Sequence, residues 1–221
     1  MAATRVAIEI GSKRTFASAL DWPGWSRAAK GEEDAIQALI AYAARYGRVA
    51  ARADVHFEPR PWDFRVIEHL AGDATTDFGA PGAVADVESK PMTKAEVDRM
   101  CSLVEACWAE FDQVVKSAPQ SLRKGPRGGG RDRDKIFEHV LGAESGYAPK
   151  LGLRLPQPAI DERKGITANR KAILDAFRAG ASGEPLREGG RPARYMARRI
   201  AWHVLDHAWE VEDRSEIQAV S

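Results

Sequence analysis

The chain has 221 residues, 44% hydrophobic and 29% charged, with a formal net charge of +1. That is ordinary globular composition, which argues against a disordered chain, and a near-neutral balance argues against nucleic acid as a partner. Cys101 and Cys107 stand six apart on a predicted helix and so on different faces, which argues against a disulfide between them and against a zinc site built from thiolates. No stretch approaches the roughly 20 apolar residues that span a bilayer. The segment Met1 to Ile10 has neither a long apolar run nor a small-residue cleavage site, so the expected setting is a reducing cytoplasm with no membrane partner.

Up to about residue 90 the pattern is mostly strand-like. Val6, Ile8 and Ile10 alternate with Ala7 and Glu9, the period of a half-buried strand. Gly11 to Arg14 reads as a turn, and a second strand follows from Thr15 to Leu20, with Phe16, Ser18 and Leu20 on one side. The two strands should form a hairpin. Trp22-Pro23-Gly24-Trp25 stops the second strand, because proline lacks a ladder donor and glycine supplies a turn. A helix is expected over about Glu32 to Arg45, with Ala35, Ile36, Leu39, Ile40 and Ala43 as its apolar stripe. Extended segments are expected near Arg48 to Phe57 and Phe64 to Ala71. The stretch from Gly72 to Lys90 is rich in Gly, Ala, Pro and Asp and reads as loop or linker.

From Thr93 the period changes to that of a helix. Thr93 and Glu96 form a capping-box signal, and Val97, Met100, Cys101, Val104, Trp108, Phe111 and Val115 make a long stripe. A basic, glycine-rich loop spans Ser121 to Asp134, and a second helix is expected from about Asp132 to Tyr147. A third, carrying Ile173, Leu174 and Phe177, is expected from Thr167 to Gly180, and a fourth from Pro192 to about Asp213. The expected fold class is therefore α+β: a small ββαβ unit over residues 1–88, then a four-helix bundle over 89–221.

His203 and His207 stand four apart in Arg199-Ile200-Ala201-Trp202-His203-Val204-Leu205-Asp206-His207, which puts both imidazoles on one helix face, close enough to share an ion. The plain alternative is a polar helix face. Ile200, Arg199 and Met196 lie at helical spacing before His203, and Glu210 and Val211 after His207, so the histidines sit in or beside an apolar stripe rather than on a purely charged surface. A partly buried imidazole there needs partners for both nitrogens. His139 has Ile136, Val140 and Ala143 at helical spacing and also points inward, with Gly142 and Ala143 leaving room beside it. Taken alone, a histidine so placed reads as a core residue bonded to a carbonyl.

The fourth-helix segment from Tyr195 to Glu210, together with Phe137-Glu138-His139-Val140-Leu141-Gly142-Ala143-Glu144, resembles the DinB/YfiT-like family over roughly Thr93 to Asp213. Those proteins are four-helix bundles in which three histidines hold a divalent metal. The resemblance implies His139, His203 and His207 as ligands, while His56 and His69 match nothing in the pattern. It implies one ion, zinc first, with nickel, iron or manganese as alternatives. Three imidazoles without a fourth protein ligand leave positions for an outside donor. Asp206 and Glu210 are candidates to orient an imidazole, and Glu210 to act as a base; the alternative for both is a solvated carboxylate. More weakly, Phe16 to Trp25 followed by Gly31-Glu32-Glu33-Asp34-Ala35 looks like the hairpin-helix unit of HicB-like antitoxins. No DNA-binding module accompanies it, so neither toxin neutralisation nor DNA binding is carried over.

The loop from Arg123 to Arg133 exposes backbone N–H groups at its glycines and carries arginines that suit a carboxylate or phosphate; Arg127 and Arg131 are the candidate contacts. A solvated linker is the alternative. Arg191, Arg194, Arg198 and Arg199 read mostly as a solvated face, with membership of the same anion site as the alternative for some of them. Two functional readings result. One is a metal-dependent enzyme on a small molecule, which the resemblance makes a thiol S-transferase with a low-molecular-weight thiol. The other is a non-catalytic binding or sensing module with a structural metal and a partner-recruiting amino-terminal unit. A homodimer fits either.

Overall fold

A computed structural model describes residues 3–60, 63–125 and 129–215. The chain is α+β, with a four-stranded mixed sheet followed by a helical region. The predicted hairpin forms from β1 (Thr4–Ile10) and β2 (Thr15–Ala19), antiparallel, with Val6 opposite Ala19 and Ile10 opposite Thr15. A short β3 (Ser26–Ala29) and β4 (Phe64–Ala71) complete the order β3-β2-β1-β4, and β4 runs parallel to β1. β4 carries one extra residue, since Val6 pairs with Val66 and Ala7 with Glu68. The bulge turns the exposed Ile67 out of the ladder.

β1 is buried on both faces rather than one. Val6, Ile8, Ala17 and Ala19 join the main core, while Ala7 and Leu20 pack on Ala85, and Phe16 packs on Ala80 and Trp202. The Trp22–Trp25 turn is a wedge. Trp25 is fully buried, donates from Nε1 to the Leu39 carbonyl at 2.9 Å and stacks on Tyr46, whose hydroxyl donates to the Pro23 carbonyl at 2.9 Å. Gly24 sits at φ +94, and a Cβ there would come within 2.8 Å of Leu205.

Helix α1 (Glu32–Ala41) ends sooner than expected, and α2 (Ala43–Arg52) occupies part of the segment expected to be extended from Arg48. Val49, Ala51, Ala53, Val55 and Phe57 alternate like a strand. Tyr46, Val49 and Ala50 nevertheless lie on one helical face and are buried, so the core favours the helix. Between the two helices Tyr42 leaves helical geometry and packs edge-on against Trp209 at 4.9 Å.

The stretch expected as linker, 72–90, is partly helical and tied down. It contains α3 (Ala74–Phe78) and a 3₁₀ turn (Asp86–Ser89). The Glu9 carboxylate accepts from the amides of Gly82 and Ala83, at 2.9 and 3.0 Å. Arg198, expected on a solvated face, is buried instead: it pairs with buried Glu88 at 2.6 and 2.9 Å and donates to the Ala83 carbonyl. Arg194 is also mostly covered and lies 3.7 Å from Glu96, whereas Arg191 is exposed as expected.

Four long helices follow among the described residues: α4 (Lys94–Ser117), α5 (Arg133–Tyr147), α6 (Arg163–Ala179) and α7 (Ala193–Ser215). The Thr93/Glu96 capping box forms as predicted, and α6 begins four residues before the expected Thr167. The two cysteine thiols are free and buried in different places, Cys101 against the Leu174 carbonyl and Cys107 against that of Pro23. Burial pushes the Cys101 thiol up to about 11, outside the range of a reactive cysteine. No helix among the described residues is long and apolar enough to cross a membrane.

Candidate metal centre

α5 and α7 present the three histidines to one another. On α5, Ile136, Phe137, Val140 and Leu141 are buried and fix the helix against the core, which leaves His139 at the edge of that stripe facing α7. On α7, His203 and His207 occupy one face at i, i+4. Each histidine offers one ring nitrogen, and these three atoms lie within 4.8 Å of one another. His139 Nε2 and His203 Nε2 are 3.2 Å apart. Two nitrogens on one tetrahedral zinc, each at about 2.0–2.1 Å, would stand about 3.3 Å apart, so this pair already has the spacing of two ligands. The three histidines are close enough to bind a metal ion.

The surroundings favour neutral imidazoles, the form that coordinates. His203, 9% exposed, is held well below the usual histidine range, first by burial and then by His207, His139, Arg199 and Arg131. Burial also lowers His139, aided by His207 and Arg131, with Glu210 opposing. His207 Nδ1 meets Glu210 Oε2 at 2.8 Å, which leaves its Nε2 for a metal. The Glu210 carboxyl is held below its ordinary range, chiefly by that hydrogen bond, with Arg214 adding to it and burial opposing.

Asp206 plays no such part. It points the other way and pairs with Arg27 of β3 at 3.0 Å. His56 and His69 are exposed and lie beside Glu58 and Glu32, away from the triad. Arg127 lies outside the described residues. Arg131 borders a cleft of about 620 Å³ whose walls include His139, Gly142, Lys124, Lys135 and Gln157. Lys124 pairs with Asp132 and Lys135 with Glu138, while Arg131 makes no ion pair among the described residues.

Three further groups stand at the site beyond those assigned to it from the sequence. The Tyr147 ring stands edge-on to His203 at 5.9 Å. The Arg199 guanidinium lies over Tyr147 and Trp202, at 5.6 and 5.0 Å, and donates to the Pro81 carbonyl. Arg214 binds Glu210 at 2.7 Å, and here the i, i+4 spacing of opposite charges was the available clue. Comparison of the chain with known protein families, with curated proteins and with solved structures yields no match.

Proposed function

We propose that the chain is a DinB-like divalent-metal protein with His139, His203 and His207 as ligands, acting on a small molecule that reaches the metal from the cleft beside His139. The observation that carries this reading is the meeting of three ring nitrogens from two helices within 4.8 Å, one pair already at 3.2 Å. A bound ion would supply Lewis acidity to a donor atom of the substrate, a thiol in the transferase reading that the family resemblance suggests. The chain's own residues divide the remaining work. Glu210 holds the His207 ring in one tautomer. The Tyr147 and Trp202 rings stand edge-on to His203, and Arg131 offers a guanidinium to a carboxylate on the substrate. The cleft against His139 favours this reading over a non-catalytic module, in which the metal would be enclosed by protein.

Metal analysis of purified, zinc-equilibrated protein is expected to give about one ion per chain. The variant with alanine at His139, His203 and His207 is expected to give none; full retention in it refutes the ligand set. Cobalt-loaded protein titrated with a panel of low-molecular-weight thiols should change its visible spectrum, and Arg131→Ala should weaken the response to carboxylate-bearing thiols while keeping the cobalt. A spectrum indifferent to every thiol overturns the transferase reading and leaves the metal site standing.

A further inference from the structure

The loop before α5 and the histidine pair on α7 meet at one side chain, Arg214. Its Nη1 donates to Glu210 Oε1 at 2.7 Å and its Nε donates to the Arg123 carbonyl at 2.8 Å. Glu210 uses its other oxygen for His207 Nδ1. The loop holds the same end of α7 in return. The Arg123 amide donates to the Arg214 carbonyl at 3.0 Å, and Arg123 Nη2 donates to the Asp213 carbonyl at 3.0 Å. These carbonyls belong to the last described turn of α7. Gly130 completes the contact: it sits at φ +115, and a Cβ there would come within 2.7 Å of Arg214 Nη2. The positive φ favours glycine there, and the missing side chain lets the loop backbone lie close to the guanidinium.

An exposed i, i+4 ion pair would do little, and one exists on nearly every long helix. Arg214 differs in two respects. Its side chain is only 14% exposed, and its hydrogen bonds form an unbroken path from a ring nitrogen of His207 to the backbone of a loop about 90 residues earlier in the chain. That loop also carries Lys124 and Arg131, which line the cleft beside His139.

We propose that Arg214 is a positioning residue that couples this loop to the metal centre. Arg123 fixes Arg214, Arg214 fixes Glu210, and Glu210 fixes the His207 ring with Nε2 turned toward the other two imidazoles. The proposal rests on the metal reading of the triad. Coupling of this kind is reciprocal: by whatever factor docking of Arg123 on Arg214 raises metal affinity, the metal raises the docking. The basic wall of the cleft is thereby placed best in the metal-loaded protein.

The test uses the full chain and zinc alone. Zinc affinity is measured by competition with a chelating dye for the wild type, Arg214→Ala, Arg214→Lys and Glu210→Gln. Arg178→Ala, on the exposed face of α6 beside Asp175, serves as control. Hydrogen exchange at the Arg123 amide is followed with and without zinc. Arg214→Ala is expected to lower zinc affinity by roughly tenfold or more, the usual effect of losing a group that orients a ligand. Arg214→Lys should restore part of the loss, and the control should match the wild type. Zinc should slow exchange at Arg123 in the wild type and not in Arg214→Ala. Glu210→Gln, which keeps the shape of the side chain, should show the same two losses and decides the matter if Arg214→Ala folds poorly. Wild-type affinity in the Arg214 and Glu210 variants, or equal slowing by zinc in all proteins, overturns the coupling and leaves the metal site intact. A wild type that takes up no zinc overturns both.

Discussion

Glu144 is the most unusual single residue outside the triad. Its carboxyl is 3% exposed among α4, α5 and α6. Oε1 has no hydrogen-bond partner among the described residues, and Arg170 Nε stands 3.6 Å from Oε2. Arg170 directs its terminal nitrogens to Asp112 instead, at 2.8 and 3.2 Å. Burial pushes the Glu144 carboxyl up to about 7, and Arg170 offsets this only in part. A folded-state value above the unfolded one means that the folded chain holds the proton more tightly. This group's contribution to stability is therefore complete below the ordinary glutamate range and is lost as pH rises through 7. Glu144→Gln removes the titration, so the stability of the variant relative to the wild type should rise by about 2 kcal/mol between pH 5 and pH 8. Urea denaturation at the two pH values measures it, and a pH-independent difference would refute the assignment. None of this was legible in the chain, where Glu144 falls at an ordinary helix position. The His203/His207 pair was legible, because four-residue spacing on a helix fixes a shared face whatever the rest of the fold does. His139 could be joined to it only through family resemblance, since 64 residues separate it from His203.

At the scale of elements, local patterning succeeded wherever a run of apolar residues fits one period and is closed by a clear cap or turn. The hairpin, β4, the Thr93 cap and the four long helices all belong to that class. It failed at α2, whose apolar residues satisfy both periods, so that burial of Tyr46, Val49 and Ala50 had to choose between them. It failed again from residue 72 to 90, where composition suggests a loose linker and the partners that immobilise the segment lie far away in sequence. Arg198 is the main one, reaching Glu88 and Ala83 across more than 100 residues. Breaking a buried pair strands the surviving charge, so Arg198→Ala should destabilise the fold by about 3–5 kcal/mol. Chemical denaturation reads this directly. A cost within about 0.5 kcal/mol, the range of ordinary surface substitutions, would show the pair to be solvated after all.

At the scale of the molecule, the change of pattern near residue 88 marks a change of secondary structure, and the hydrophobic core runs across it. Val6, Ile8, Trp25 and Leu39 belong to the same cluster as Met100, Phe111, Ile173 and Trp209. Arg27 adds a polar seam, lying over the Tyr42 ring at 3.9 Å while paired with Asp206. Sheet and helices should therefore lose structure together. Far-ultraviolet circular dichroism and tryptophan fluorescence in urea are expected to trace one coincident transition, and two separated midpoints would contradict this.

The close approach of Gly24 to α7 bears on how such a chain could be recombined. Leu205, which a side chain at position 24 would strike, lies between His203 and His207 in sequence, and its neighbour Asp206 is held by Arg27. The back of the histidine-bearing helix thus rests on the turn between β2 and β3. A chimera that carried only the four helices onto another amino-terminal unit would inherit the histidines but lose the surface that sets their depth and rotation. Shuffling the two halves should succeed only when the seam from Pro23 to Arg27 travels with the helices, so the short turn and the histidine triad are expected to behave as one heritable unit.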